Sequence, residues 1–177
     1  MPIWTEIQKP LLQIRQNGNT KTKILYGDGP LRFQIPRGYS RYGLSQYKSL
    51  TVSNLDPKFL EWFREIEQTL YPSDKNDFKS CVSEYGLRVK VDDSTLIFDS
   101  KSKFVGDEHV EGYLKDLDIS CIVDVEGAYL WKGAWGINCR AHQIKFYTPV
   151  PKIPEMDFEE SSTTTPAPFN GCAFMDP

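Results

Sequence analysis

The chain is poor in the residues from which metal and nucleophilic centres are built. Of its 177 residues two are histidine, His109 and His142, and four are cysteine, Cys81, Cys121, Cys139 and Cys172. No two cysteines form a C-x-x-C pair and neither histidine stands at a ligand spacing, so no zinc site is expected. Cys121 and Cys139 sit in strand-like runs, where a free thiol acts as a small buried apolar group. Cys172 opens the terminal CAFMDP two residues too early for a prenylation box. The phosphate loop G-x-x-x-x-G-K-[ST], the dinucleotide turn G-x-G-x-x-G and the elbow G-x-S-x-G are all missing. The acidic pairs Asp92–Asp93 and Asp107–Glu108 read as solvated turns rather than magnesium sites. Together these absences predict a protein that is not an enzyme and carries no cofactor.

Long apolar runs are missing too. Nothing approaches the ~20 residues of a membrane span, and MPIWTEIQKP lacks the parts of a signal peptide, so an intracellular protein with no membrane association is expected. Hydrophobic residues make up 40% and aromatics 13%, enough for one packed domain.

Charge of one sign is missing locally. RFQIPRGYSRYGLSQYKSL, Arg32 to Leu50, holds no acid, although the chain as a whole carries a net charge of −3. From Lys9 to Lys48 eight basic residues face one acid, and from Asp56 to Glu126 nine face 17. From Gly127 to Lys152 there are four basic residues and no acid, and from Ile153 to Pro177 five acids and no base. Two basic blocks and an acidic tail suggest a polyanion-binding face. In a small barrel the first and last strands can lie side by side, merging the blocks.

The runs Leu11–Gln16, Thr20–Tyr26, Leu31–Ile35 and Lys48–Ser53 are short, turn-bounded and rich in β-formers. Asp56–Tyr71 then changes period: Asp56 is an N-cap, Pro57 suits the first turn, and Phe59, Phe63, Ile66 and Leu70 form a core-facing stripe widened by Leu60 and Trp62. Pro72 ends the helix. Strands resume at Tyr85–Val91 and Ser94–Ser100 around a hairpin turn at Asp92–Asp93; Ser102–Asp116 reads as a polar excursion. In Asp118–Gly133, Ile119, Cys121, Val123 and Val125 share a face. In Ala134–Tyr147, Ile137, Cys139 and Ala141 share one face, with Asn138, Arg140 and His142 on the other. Lys132–Gly133 marks the hairpin between these two strands. Residues 1–152 are read as one mainly β domain, an OB-type antiparallel barrel with one α-helix between strands, with a β-sandwich as the competitor. Residues 153–177 are read as a disordered acidic tail.

Single-stranded nucleic acid needs cations for its phosphates and flat rings for its bases. The first basic block offers Arg32, Arg37, Arg41 and Lys48 among Tyr39, Tyr42 and Tyr47, in a stretch that Pro36, Gly38 and Gly43 free to be a loop at a groove edge. Tyr39 and Tyr42 are the preferred stacking residues; plugging a barrel end is the competing role. The last hairpin offers Trp131, Lys132, Trp135 and Arg140, where either tryptophan can stack on a base or close the core.

LRFQIPRGYSRYG, KSLTVSNLDPKFLEWFREIE and ISCIVDVEGAYLWKGAWGINCRAHQIKFY, in that order, resemble the OB-fold single-stranded DNA-binding proteins of short-tailed phages and their relatives in large nucleocytoplasmic DNA viruses. The matching positions are Phe33, Gln34, Pro36 and Gly43; the helix Pro57–Leu70; and Gly127, Trp135, Gly136, Arg140 and Gln143. The resemblance spans Leu31 to Tyr147. It implies sequence-tolerant coating of single-stranded DNA in replication, recombination or repair, in a host cytoplasm, nucleus or viral replication compartment. It also implies an acidic tail, here Asp157, Phe158, Glu159, Glu160 and Phe174, that occupies the groove or docks a polymerase or helicase. A homo-oligomer is compatible with it. The tail departs from the family picture in having fewer acids and in continuing past Phe174 to Met175, Asp176 and Pro177. The alternatives are an RNA-binding or protein-interaction β-barrel and a viral structural or assembly protein.

Overall fold

The computed structural model describes residues 2–8, 11–16, 20–70, 78–106 and 111–148, with only the backbone of Gln16, Gly106 and Trp131. The tail residues Asp157, Phe158, Glu159, Glu160 and Phe174 lie outside the described residues, as do His109 and the Asp107–Glu108 pair.

The sheet is built around one long hairpin, β11 (Leu117–Trp131) and β12 (Ala134–Tyr147). Lys132 and Gly133 join them at φ 49° and 83°. Two left-handed residues in succession match the right-handed twist of the flanking strands, which makes such two-residue turns favourable. The alternation in these strands has its expected result: Ile119, Cys121, Val123, Val125, Ile137, Cys139 and Ala141 are all buried.

Twelve strands are seen among the described residues, and their main path runs β1-β2-β3-β11-β12-β8-β5. On one side of the hairpin, β3 (Gly29–Gln34) and β4 (Gly38–Ser40) pair antiparallel with β11. β2 (Lys21–Tyr26) also reaches β11, and β1 (Leu12–Gln16) forms the outer edge. The early and late strands are thus neighbours, as a barrel closure requires. On the other side β12 meets β6 (Phe78–Lys79), β8 (Gly86–Lys90) and β9 (Leu96–Phe98), all parallel to it. β5 (Ser49–Val52) and β7 (Val82–Ser83) pair antiparallel with β8. The protein is mainly β with one helix among the described residues, and its sheet curls into a half-barrel of OB-like form.

Three local expectations are corrected. Asp92–Asp93 is not a hairpin turn: β8 and β9 follow one another along β12, with Lys90 opposite Arg140 and Leu96 opposite Gln143. The strand breaks there because the Asp92 carboxylate accepts from the Ser94 amide and hydroxyl, closing a local turn. The basic segment is not all loop, since Gly38–Ser40 forms β4 and Tyr39 pairs with Ser53. The excursion after Ser102 contains β10 (Phe104–Gly106), paired with β9.

α1 (Pro57–Leu70) starts where Asp56 Oδ1 accepts from the Lys58 amide at 2.9 Å. Phe59, Phe63, Ile66 and Leu70 are buried as the stripe predicts. Trp4, on a short 3-10 turn at Trp4–Glu6, packs edge-on to Phe59 at 5.6 Å, and Trp62 meets Phe33 edge-on at 5.0 Å. Removing one such buried ring costs about 3–5 kcal/mol. Among the described residues no helix is long and apolar enough to cross a membrane.

Candidate nucleic-acid interface

A turn at Glu84–Tyr85 joins β7 to β8 and leans over the end of β5. Gly86 makes this approach possible: its φ is 125°, and a Cβ there would lie 2.1 Å from the Val52 carbonyl oxygen. Glycine alone tolerates both the conformation and the contact. The Ser83 hydroxyl accepts from the Tyr85 amide, fixing the tip.

Between this tip and the segment after β4 lies a groove of two cavities. The first, of about 370 Å³, is lined by Tyr39, Arg41, Tyr42, Asn54, Glu84 and Tyr85, over Thr51 and Ser53. The second, of about 540 Å³, shares Tyr42, Thr51 and Tyr85 and adds Lys79 and Arg88. Tyr42 and Tyr85 are 60% and 61% exposed, so the rings shared by both cavities face solvent rather than the core. The Arg41 guanidinium sits 5.5 Å from the Tyr42 ring centroid. Tyr39 is half-buried, and its hydroxyl donates to Asp116 at 3.1 Å, which raises its pKa. Tyr85 is raised likewise, with the Glu84 carboxylate as the main cause. These phenols remain neutral at physiological pH and add no negative charge.

The far wall depends on a buried acid. Glu67, on the core side of α1, accepts from the Cys81 amide at 2.7 Å and from the Ser80 hydroxyl. It thereby ties the segment after Lys79 to the helix. Burial raises the Glu67 pKa, and those two hydrogen bonds work against the rise.

The other expected residues fall elsewhere. Arg32 forms a bidentate pair with the buried Asp124, at 2.6 and 2.9 Å. Arg140 approaches the same carboxylate at 3.5 Å, Asp92 at 3.2 Å and Glu126 at 3.4 Å. Both guanidiniums have raised pKa values. For Arg32 the hydrogen bond to Asp124 is the main cause; for Arg140 burial opposes the charge, but its acidic neighbours outweigh it. Arg37 pairs with Asp118 at 2.9 Å and lies 3.9 Å from the Tyr147 ring centroid. Lys48 pairs with Asp93 at 2.6 Å, and Tyr47 beside it is 81% exposed. Much of the basic block is therefore balanced by acids from the central segment, brought close by folding.

Trp135 is corrected as a base platform. It is 4% exposed and belongs to the core, so it closes the barrel interior. The Trp131 side chain is outside the described residues, and Lys132 stands at the hairpin tip.

No protein-family model matches the chain, and no curated protein does. Among solved structures it is similar to gp2.5, a single-stranded DNA binding protein encoded by bacteriophage T7. The identity is 12% and the TM-score 0.46, over 73% of this chain and 98% of that one.

Of the expected contact residues, the groove gathers Tyr39, Arg41 and Tyr42. The residues that sequence reading missed are Tyr85, Arg88 and Lys79. All three lie in the segment with an excess of acids, where net charge concealed them. For Tyr85 and Arg88 the available signal was local: in YGLRVKV the outward positions of a half-buried strand are basic, and an aromatic precedes them; Lys79 had no such signal.

Proposed function

We propose that this chain is a non-enzymatic single-stranded DNA-binding protein that coats strands without strong sequence preference during viral or phage DNA replication, recombination or repair. One observation carries the reading: Tyr39, Tyr42 and Tyr85 line one open groove together with Arg41, Arg88 and Lys79. Exposed rings stack on bases of any identity, each worth about 1–3 kcal/mol, and the cations meet the phosphates between them. Among the described residues Arg41, Arg88 and Lys79 have no carboxylate at ion-pair distance. Within the described structure no ion pair takes up their charge, unlike that of Arg32 and Arg140.

The test is a titration of intrinsic tyrosine and tryptophan fluorescence with oligo-dT, oligo-dC, oligo-U and duplex DNA. Single-stranded DNA should quench the signal saturably and bind more tightly than duplex. A preference for oligo-U would move the assignment to RNA, and no response to any of the four would leave a protein-interaction or structural role.

A further inference from the structure

One feature of the groove runs against polyanion binding. Glu84 is the one carboxylate among the described residues lining the two cavities, and it lines the first, beside Tyr85 in the chain. A negative charge there repels phosphate, although Arg41 lines the same cavity, and a carboxylate is an acceptor suited to the amino group of a base edge. Asn54, which has a left-handed backbone at φ 56°, lines the same cavity. Among the described residues no hydrogen bond engages the Asn54 side-chain amide, and the Ser53 hydroxyl is already committed to the Tyr39 carbonyl at 2.8 Å. Glu84 precedes Tyr85 in the turn and is the main cause of the raised Tyr85 pKa, so the carboxylate acts close to the ring. Among the described residues the first cavity thus holds flat rings, the cation Arg41, one acceptor-only group and one free amide; the second holds the cations Lys79 and Arg88 and no acid.

Resting on the single-stranded DNA reading, we infer that the first cavity takes one nucleobase edge-in and selects a base with an exocyclic amino group beside a ring acceptor, cytosine or adenine, over thymine. The second cavity takes the adjoining phosphate. In cytosine the N4 amino group donates to Glu84, the pairing carboxylates make with this base, while N3 and O2 accept from the Asn54 amide. Adenine presents the same donor and acceptor through N6 and N1. Thymine puts O4 where the amino group stands, so two oxygens with no shared proton face each other and Glu84 is left without its partner. This is a single reading position; neighbouring nucleotides are held by stacking and charge, so the overall preference is modest.

The experiment compares oligo-dC with oligo-dT of equal length by fluorescence titration at neutral pH, on the full chain and two variants. The wild type should bind oligo-dC about fivefold more tightly, the equivalent of one net hydrogen bond. Glu84→Gln, which keeps the size and supplies a donor for O4, should bring the ratio to about one by tightening oligo-dT. Asn54→Gly, which preserves the left-handed backbone, should weaken oligo-dC selectively. Equal affinities in the wild type, or a preference for oligo-dT, would overturn the inference and leave the single-stranded DNA reading intact. A ratio that survives Glu84→Gln would also overturn it. No binding to either oligonucleotide would instead overturn the reading on which it rests.

Discussion

Asp124 decides what two arginines can do. It is buried, and both Arg32 and Arg140 direct a guanidinium nitrogen at it. Asp124→Asn should destabilise the protein by about 1.5–3 kcal/mol, the range for hydrogen bonds to charged groups. The loss stays below that of a fully buried pair because the arginines are 36% and 31% exposed. Urea unfolding measures it, and an unchanged midpoint would show that the pair is dispensable. This pairing also marks where sequence reading stopped. Arg140 is correctly read on the face opposite Ile137 and Cys139, yet nothing in the linear charge pattern shows that Asp124, 92 positions from Arg32 in the chain, meets both arginines. Trp135 is the converse case: its role depended on which side of the last strand the core occupied, and the alternation with Ile137 and Cys139 already placed it inside.

At the scale of elements, strands and helix were legible because their periods are strong and their ends are punctuated. The α1 stripe, the Asp56 cap and the Lys132–Gly133 turn each have one local cause. The parallel edge was not legible, because β8 and β9 read as a hairpin until β12 is seen to hold both. The groove depends on such an unread detail, the approach of the β7–β8 turn to β5. Gly86→Ala should therefore cost about 1–3 kcal/mol from backbone strain alone, with the Val52 clash adding to it, and should weaken DNA binding; a variant with wild-type melting and affinity would remove this turn from the account. The outer face of β12 gives a pH prediction. Burial lowers the His142 pKa from 6.5, and Arg32 and Arg140 lower it further against the pull of Asp124. Above 6.5 the imidazole is neutral in both folded and unfolded chains. As pH falls through 6.5 the unfolded chain is protonated first, so stability falls until the folded site is protonated too. Glu67, whose pKa is raised, acts with the opposite sign, but it is common to both proteins in a comparison with His142→Gln. The wild type should lose more stability than this variant between neutral pH and about pH 5; parallel curves would contradict the assignment.

For the whole molecule, net charge is a poor guide and free charge a good one. Neither the −3 of the chain nor its basic blocks show where unpaired charge lies, because folding pairs Arg32, Arg37, Lys48 and Arg140 with acids and places Arg41, Arg88 and Lys79 in the groove. Three phosphate contacts predict that log K falls with log salt at a slope of about −2 for a single strand. Replacing Arg41 or Arg88 with Ala should reduce the slope by about 0.7 each, and replacing Arg32 should leave it unchanged. Equal slopes in all three variants would spread the contacts beyond the groove. The central claim, that exposed tyrosines in this groove hold bases, is tested most directly by Tyr42→Ala combined with Tyr85→Ala. Both rings are more than half exposed, so the double variant should melt close to the wild type while its affinity for a single-stranded oligonucleotide falls by about 2–6 kcal/mol, two stacks' worth. A double variant that folds normally and binds the same oligonucleotide as tightly as the wild type would contradict the account.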